Sequence, residues 1–445
     1  MGIPVSVLVE NAGRAVARAV RRAFPPCRTL VLCGPGSNGG DGCVTARRLA
    51  EWGWPVAIAT PAPRALPGWT GPLLPFTPAE AARADLVIDA LYGAGLSRDI
   101  DAATEAVLRA AGRIAAIDTP SGVDGTTGAV RGFAPQAALT VTFFRAKPGH
   151  KLLPGRDLCG RLVLADIGLP AAVLGPIAPQ TFLNTPALWT LPALADTGHK
   201  YTRGHATVLG GPAMTGAARL AATAARHGGA GLVTLAAIAG AADLFRAGEP
   251  GLIVDDAPLA AQLADSRRNA WICGPGLGGA TAAAALPVLL AAGRKLVVDA
   301  DALTLCAGAP ERLRGATVLT PHAGEFARVF GAAGADRLAA VRAAARQTGA
   351  VVILKGSDSI IAAPDGRAAI NDSAPPTLAT AGAGDVLAGL VGALLAQGMP
   401  DWQAACAAVW LHGQAAQICG PGLLAEDLPP AFPAAFARTS LPRRR

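Results

Sequence analysis

Short apolar runs alternate with alanine-rich stretches along most of the chain. In the first half the runs are Thr29–Cys33, Val56–Thr60, Leu86–Ala90, Ile114–Asp118, Ala138–Phe143 and Arg161–Ala165. Most lack a period of two, which is the pattern of strands covered on both faces. Helix-like stretches such as Gly42–Glu51 and Ala102–Ala111 lie between them. Strands alternating with helices across short turns predict an α/β sheet, mostly parallel. The alternation breaks over Ile167–Pro192, a proline-punctuated stretch with little periodicity. It restarts with Ala206–Gly210, Gly231–Leu235, Ala270–Cys273, Lys295–Asp299, Thr317–Thr320, Val351–Leu354 and Ser359–Ala363. The pattern therefore predicts two α/β domains, 1–187 and 188–445, with the proline-rich stretch as linker. No internal repeat relates the halves. The proline-rich tail after Gln417 is expected to pack poorly.

Composition narrows the class. The chain has 445 residues, 51% hydrophobic and 16% charged, so it can bury a large core and is not disordered. The longest apolar run, Ala282–Ala292, contains Pro287 and is too short to span a membrane. The N-terminus lacks the basic, apolar and small-residue order of a secretion signal. The net charge of +8 is carried by arginine, since only five of the 39 basic residues are lysine. Apart from Arg443–Arg445 the basic residues are scattered, with no aromatic interleaving and only 2 Tyr, which excludes a nucleic-acid surface. The eight cysteines form no C-x-x-C pair and no zinc spacing. Reduced thiols in a cytoplasmic protein are the expectation.

Candidate chemistry in the first half lies at predicted strand ends. Gly34-Pro-Gly-Ser-Asn-Gly-Gly-Asp-Gly42 follows a strand and precedes a helix, where glycines let backbone N–H groups approach an anion. It fits neither G-x-G-x-x-G nor a P-loop. Asp89-Ala-Leu-Tyr-Gly-Ala-Gly95, Asp118-Thr-Pro-Ser-Gly-Val-Asp124 and the stretch from Thr142 to Lys147 each end or follow a strand. In a parallel sheet those ends share one ligand-binding edge. Asn38, Asp89 and Ser121 offer hard oxygen donors there, suited to an alkali or alkaline-earth cation. Asp118 and Lys147 are candidates for proton transfer.

Val9-Glu-Asn-Ala-Gly13, GPGSNGGDG at 34–42, VIDALYGAG at 87–95 and IDTPSGVDG at 117–125 together resemble the NAD(P)H-hydrate epimerase domain, over roughly residues 1–185. That resemblance implies a Rossmann-like three-layer sandwich that interconverts the R and S hydrates of NADH and NADPH at C6 of the nicotinamide ring. It implies K+ on Asn38, Asp89 and Ser121. The hydrated dinucleotide would be held by Ser37, Asn38, Gly39, Gly40 and Asp41, by Gly93, Ala94, Gly95, Leu96, Ser97, Arg98 and Asp99, and by Asp118. Asp118 and Lys147 would handle the proton. Ser37 stands where the family usually has a first Asn. The family also carries a helix ahead of its Gly-Ile-Pro segment. This chain begins Met1-Gly-Ile-Pro, so that helix is expected to be missing.

In the second half, Thr380-Ala-Gly-Ala-Gly-Asp385 opens an apolar helix. Free N–H groups at such a start form an anion hole for a transferring phosphoryl group. Asp385 in the first turn is placed to accept a hydroxyl proton. Lys355, in Leu354-Lys-Gly-Ser-Asp-Ser359, ends a strand and can pair with phosphate. His199–Gly211, GPGLG at 274–278, VDADAL at 298–303, TPHAGE at 320–325, LKGSDS and GAGD occur in order. Together they resemble the NAD(P)H-hydrate dehydratase domain, a ribokinase-like α/β fold, over roughly 195–420. That resemblance implies ADP- or ATP-driven dehydration of the S hydrate through a phosphorylated intermediate, with Mg2+. Hydrate contacts map to Ala217, Gly276, His322 and Asp385, and nucleotide contacts to Lys355, Gly356, Ser357, Asp358, Ser359 and Gly384. The expected partners are hydrated NADH or NADPH and ADP, with neither nucleic acid nor membrane, in a homo-oligomer. The alternative reading is a ribokinase-like small-molecule kinase with a non-catalytic nucleotide-binding N-terminal domain.

Overall fold

A computed structural model describes residues 2–193 and 196–440. The Arg443–Arg445 run lies outside the described residues. The chain forms two compact units, Met1–Pro179 and Gln180–Arg445.

The first unit is built on β1 (Thr29–Cys33), β2 (Val56–Ala59), β3 (Leu86–Ala90), β4 (Ile114–Ile117), β5 (Leu139–Phe143) and β6 (Arg161–Ala165). Their order is β2-β1-β3-β4-β5-β6, and every neighbouring pair is parallel. Both faces are covered, which is why the strands read as apolar runs. Along β1, Val31 and Cys33 join the core on one face, while Leu30 and Leu32 join the core on the other. The chain leaves β1 for β2 on one side and returns past it to β3 on the other. The C-terminal ends of β1 and β3 therefore flank a topological switch point, where such sheets bind ligands.

The sequence pattern predicts a loop over Gly34–Gly42 followed by a helix. The structure instead starts the helix at Ser37 and runs it to Glu51. The glycines in it serve close packing. A Cβ on Gly42 would stand 2.5 Å from the Ala90 Cβ, and one on Gly39 would stand 2.0 Å from the Gly34 carbonyl oxygen. Their absence lets the helix start press onto the ends of β1 and β3. Helix Val5–Ala23 lies directly after the Gly-Ile-Pro segment and packs on this helix. Its Glu10 pairs with Arg47 and Arg48.

The second unit is built on β7 (Thr181–Leu183), β8 (His205–Gly210), β9 (Leu232–Ala237), β10 (Ile253–Asp255), β11 (Ala270–Cys273), β12 (Lys295–Val298), β13 (Val318–Leu319), β14 (Val351–Leu354), β15 (Ser359–Ala362) and β16 (Ala368–Asn371). The order is β10-β9-β8-β11-β12-β13-β14-β15-β16-β7. The pairs from β10 to β14 are parallel, and β14-β15-β16 are antiparallel. The sequence reading divides the chain at 187/188. The structure divides it at 179/180, because β7 pairs with β16 and so belongs to the second sheet. A three-residue strand inside a proline-rich stretch has no periodicity to reveal it.

The tail expectation is corrected as well. Helix Leu428–Ala437 packs on helix Asp401–Cys419 and buries Phe432 completely. Proline at a helix start does not oppose it, because that N–H has no intrahelical partner to lose.

Helix Ala383–Ala396 is the centre of this unit. From Val386 to Ala396 every residue is buried, and the helix packs along Thr215–His227. Gly389 permits that contact: a Cβ there would lie 2.0 Å from the Ala221 carbonyl oxygen. Gly389→Ala must push two packed helices apart and is expected to cost about 1–3 kcal/mol. Thermal unfolding would report it as a Tm loss of several degrees; an unchanged Tm would contradict this packing.

Candidate functional site

In the first unit, the switch point opens into a cleft of about 470 Å³. Ser37, Asn38 and Asp41 line it from the helix start, Gly93 to Arg98 from the loop after β3, and Asp118 from the end of β4. Gly39, Gly40 and Asp99 are not on its wall. Gly39 is turned back toward Gly34, and Gly40 toward Val9.

Asp118 is the hub. Its backbone is left-handed, with φ 67, a region that Asp tolerates better than most residues. One carboxylate oxygen accepts from the Ala94 N–H at 2.8 Å. The other accepts from Thr142 Oγ1 at 2.9 Å and Lys147 Nζ at 2.6 Å. Burial raises the Asp118 carboxyl, but the Lys147 charge and these bonds outweigh it, so the group lies below its ordinary range. Asp41 differs. Burial, with the nearby Asp118 charge, pushes it up to about 8, so at neutral pH it holds its proton. Two carboxylates in one cleft are thus driven to opposite protonation states, an arrangement typical of acid–base sites.

His150 is a residue the sequence reading missed. It is buried, its Nδ1 accepts from the Lys147 N–H at 3.0 Å, and its Nε2 lies 2.7 Å from the Asp118 carbonyl oxygen. With Nδ1 accepting, Nε2 carries the hydrogen and donates to that carbonyl. Burial lowers its pKa to about 4, so it ties the Lys147 turn to Asp118 as a neutral ring. Its position directly after Lys147-Pro-Gly was the available signal.

Asp89 and Ser121 are both buried. Asp89 accepts from the Ser121 N–H at 2.8 Å, Ser121 Oγ at 2.7 Å and the Leu91 N–H at 3.2 Å. These donors are all neutral, and burial pushes the Asp89 carboxyl up against their pull. Asn38 Nδ2 is buried with no hydrogen-bond partner. A buried carboxylate with only neutral donors fits a monovalent cation; Asn38 would join it only through its amide oxygen, since the Nδ2–H group is a donor.

In the second unit, carboxylates gather at the C-terminal strand ends. Asp299 follows β12, Glu325 lies in helix Ala323–Phe330, and Asp385 lies in the first turn of helix Ala383–Ala396. Gly382 precedes that helix with φ 86. Lys355, just past β14, pairs with Asp299 at 2.8 Å and Glu325 at 3.8 Å. A Cβ on Gly384 would stand 3.2 Å from Lys355 Nζ, so a side chain there would obstruct the space beside the ammonium. Burial raises Asp385 to about 6, helped by the Asp299 charge and opposed by Lys355.

The Lys355–Ser359 segment is the hairpin turn between β14 and β15. It borders a cleft of about 390 Å³, which His322, Lys355, Gly356, Ser357, Ser359 and Gly384 line on the polar side. Leu378, Leu387 and Val409 form part of its apolar wall, and the buried His412 closes it. Asp358 is not on that wall; it is buried and holds Arg337 at 2.9 Å. His322 caps its helix: Nδ1 accepts from the Gly324 N–H at 2.9 Å, and its own N–H donates to Glu325 at 2.8 Å. The other ring nitrogen, Nε2, lies 3.6 Å from Glu325 Oε1. Gly276 and Ala217 meet at the end of β11, where a Cβ on Gly276 would lie 2.9 Å from that of Ala217. Sequence reasoning placed Asp299 and Glu325 in motifs but gave them no role.

All eight cysteines are free. Among the described residues no helix is long and apolar enough to cross a membrane.

Comparison with known proteins gives these sites a context. Residues 206–421 match the family described as NAD(P)H-hydrate dehydratase, and residues 5–149 match the YjeF-related protein N-terminus. A relative from Gloeobacter violaceus, named bifunctional NAD(P)H-hydrate repair enzyme Nnr, is 39% identical over 94% of this chain and 89% of its own length. A relative of the same name from Mycobacterium tuberculosis is 41% identical over 85% of this chain and 80% of its own. Among solved structures, the ADP/ATP-dependent NAD(P)H-hydrate dehydratase of Bacillus subtilis, co-crystallised with ATP/Mg2+, is 29% identical. It covers 56% of this chain and 95% of its own, with a TM-score of 0.51. A ribokinase-like protein of Enterococcus faecalis matches the fold with a TM-score of 0.53 at 24% identity, over 59% of this chain and 98% of its own.

Proposed function

The chain belongs to the family of bifunctional NAD(P)H-hydrate repair enzymes, and from that premise we propose how its two sites divide the work. The protein repairs hydrated NADH and NADPH. The first unit epimerises the R and S hydrates, and the second dehydrates the S hydrate with ADP or ATP. The observation that supports the assignment is the presence of two strand-end sites in one chain, one around the Asp118–Lys147 ion pair and one where the raised Asp385 carboxyl neighbours the Lys355–Asp299 ion pair.

Epimerisation at C6 requires the hydroxyl to leave as water and water to return on the other face. The ring nitrogen stabilises the intervening cation. Asp118 is ionised and can take a proton from the returning water, while Lys147 and the protonated Asp41 can supply one to the leaving hydroxyl. Thr142 and His150 hold that arrangement in register. Asn38, Asp89 and Ser121 would hold K+, which when bound supplies a fixed positive charge beside the buried carboxylate.

Dehydration has a different difficulty, since hydroxide is a poor leaving group. Asp385 takes the C6 hydroxyl proton as the oxygen attacks the terminal phosphoryl group of the nucleotide. The N–H groups at the start of helix Ala383–Ala396 stabilise the transferring charge. The C6–O bond then breaks with phosphate leaving, and loss of a C5 proton restores the dihydronicotinamide. With ADP the products are the reduced dinucleotide, AMP and phosphate, which balances the water removed. Lys355, Gly356, Ser357 and Ser359 border the nucleotide cleft, and His322 lines the same cleft with its Nε2 beside Glu325. Among the described residues no group of three or more His, Cys, Asp or Glu is arranged to hold a metal ion. Mg2+ would therefore enter on the nucleotide phosphates, where it supplies charge neutralisation.

The test mixes purified protein with hydrated NADH, ADP, Mg2+ and K+ and follows the return of reduced-nicotinamide absorbance. Full recovery from a mixed R and S sample is expected. No recovery from authentic S hydrate would remove the dehydratase reading. Recovery that stops at the S fraction would remove the epimerase reading alone. A stable phosphorylated product would favour the kinase alternative.

A further inference from the structure

Lys355 sits beside the first turn of the central helix, against Gly384, the residue just before Asp385. Its ion pairs nevertheless go elsewhere, to Asp299 at 2.8 Å and Glu325 at 3.8 Å, and among the described residues none reaches Asp385. The ammonium feels three carboxylates on separate elements: Asp299 after β12, Glu325 in helix Ala323–Phe330 and Asp385 itself; Asp301, in helix Ala300–Thr304, acts on Asp385 and accepts from the Gly278 N–H at 2.8 Å. Two histidines also neighbour Lys355: His412, from helix Asp401–Cys419, which burial keeps neutral, and His322, whose backbone bridges to Lys355 and whose ring lies 3.6 Å from Glu325.

Asp299 is the best-anchored member. Its side chain is 2% exposed, and its N–H donates to the Cys273 carbonyl at 3.0 Å. The next residue, Ala300, is left-handed with φ 47, which turns the chain sharply after β12. A Cβ on Gly274 would strike the Asp299 carbonyl oxygen at 1.8 Å, so the strand end is packed against a bare glycine. That geometry fixes Asp299 at the end of β12, with Oδ2 4.0 Å from where a Gly384 Cβ would stand.

We propose that Asp299 is a positioning residue for dehydration: its buried ion pair holds the Lys355 ammonium away from Asp385 and leaves that carboxylate open to the substrate hydroxyl. The proposal rests on the reading of Asp385 as the base. Without Asp299, Lys355 keeps Glu325 at the longer distance and the charge of Asp385 as its attractions. An Asp385 paired to Lys355 is a weaker base, because an opposite charge at close range favours the ionised form. Asp299 and Lys355 each lie in a motif segment, yet only the fold makes them one unit.

The experiment compares Asp299→Asn, Asp299→Glu and Asp385→Asn by kcat and KM for ADP across pH 5–9, on authentic S hydrate. For Asp299→Asn the acid limb of kcat, expected near pH 6 in the wild type from the raised Asp385 carboxyl, should move down by about one unit or more. The accompanying fall in kcat is roughly tenfold or greater. KM for ADP should stay within about threefold. Asp299→Glu keeps the charge on a longer arm, so it should recover part of kcat and shift the limb less. If Asp299→Asn does not yield folded protein, Asp299→Glu carries the test through its smaller shift in the same direction. An acid limb that stays in place while kcat falls would reduce Asp299 to a packing role and overturn the proposal. So would unchanged kinetics. If Asp385→Asn retains full turnover, the reading of Asp385 as base fails instead, a result separate from either Asp299 outcome.

Discussion

Asp385→Asn is expected to lower dehydration of the S hydrate by about 10²–10⁴-fold, the range for removing a general base. Binding of ADP should persist, because the cleft walls that would hold the nucleotide are untouched. Asn has the shape of Asp and fits the first turn of the helix, so the loss would be chemical. Stability should move the other way. Burial and the Asp299 charge raise the Asp385 carboxyl to about 6 from an ordinary 3.8. Its proton is therefore favoured in the folded state, and the ionised form present above pH 6 is a cost to folding. Removing that charge should leave Tm unchanged or higher at pH 8. In the wild type the same shift is expected to set the pH dependence. With Asp385 as base, ionised above about pH 6, activity should fall as pH falls through that value. Single-turnover recovery of absorbance, with isothermal titration of ADP, reads both parts. Turnover near wild type would exclude Asp385 as the base.

Asp118→Asn carries the second large effect. Epimerisation is expected to fall by about 10²–10⁴-fold, while dehydration of authentic S hydrate continues at the wild-type rate. Asn is the informative replacement, because it tolerates the left-handed backbone at φ 67. Its amide oxygen can still accept from the Ala94 N–H. Lys147 then loses its 2.6 Å carboxylate partner. In a mixed hydrate sample the rapid phase should end at the S fraction, and the remainder should follow only at the slow spontaneous rate of R-to-S conversion. Rapid recovery of the R fraction would dismiss Asp118 from proton handling.

Much of both sites was legible before the fold was known, for a physical reason. A parallel sheet collects ligand-binding residues at its C-terminal strand ends, and those ends follow apolar runs that are plain in the sequence. Asp89 closes the run Leu86–Ala90, Asp118 follows Ile114–Ile117, and Asp385 follows a glycine turn before an apolar helix. What the pattern obscured were short or covered elements. The strand Thr181–Leu183 has three residues, and its place beside β16 moved the unit boundary. The loop expected at Gly34–Gly42 is largely helix, because its glycines serve contact with β1 and β3.

By itself the sequence determined the class of chain, the alternation of most strands with helices, and the residues available for chemistry. Those depend on local periodicity and on motifs contiguous in the chain. Only the tertiary structure decided which charges face one another. Lys147 reaches Asp118 across 29 positions, and Lys355 reaches Asp299 across 56. Asp41 keeps its proton because burial, with the nearby Asp118 charge, favours it, and Asp385 is raised by burial and the Asp299 charge against the pull of Lys355. Proton affinity depends on burial and on neighbouring charge, and both are fixed only when distant segments pack together.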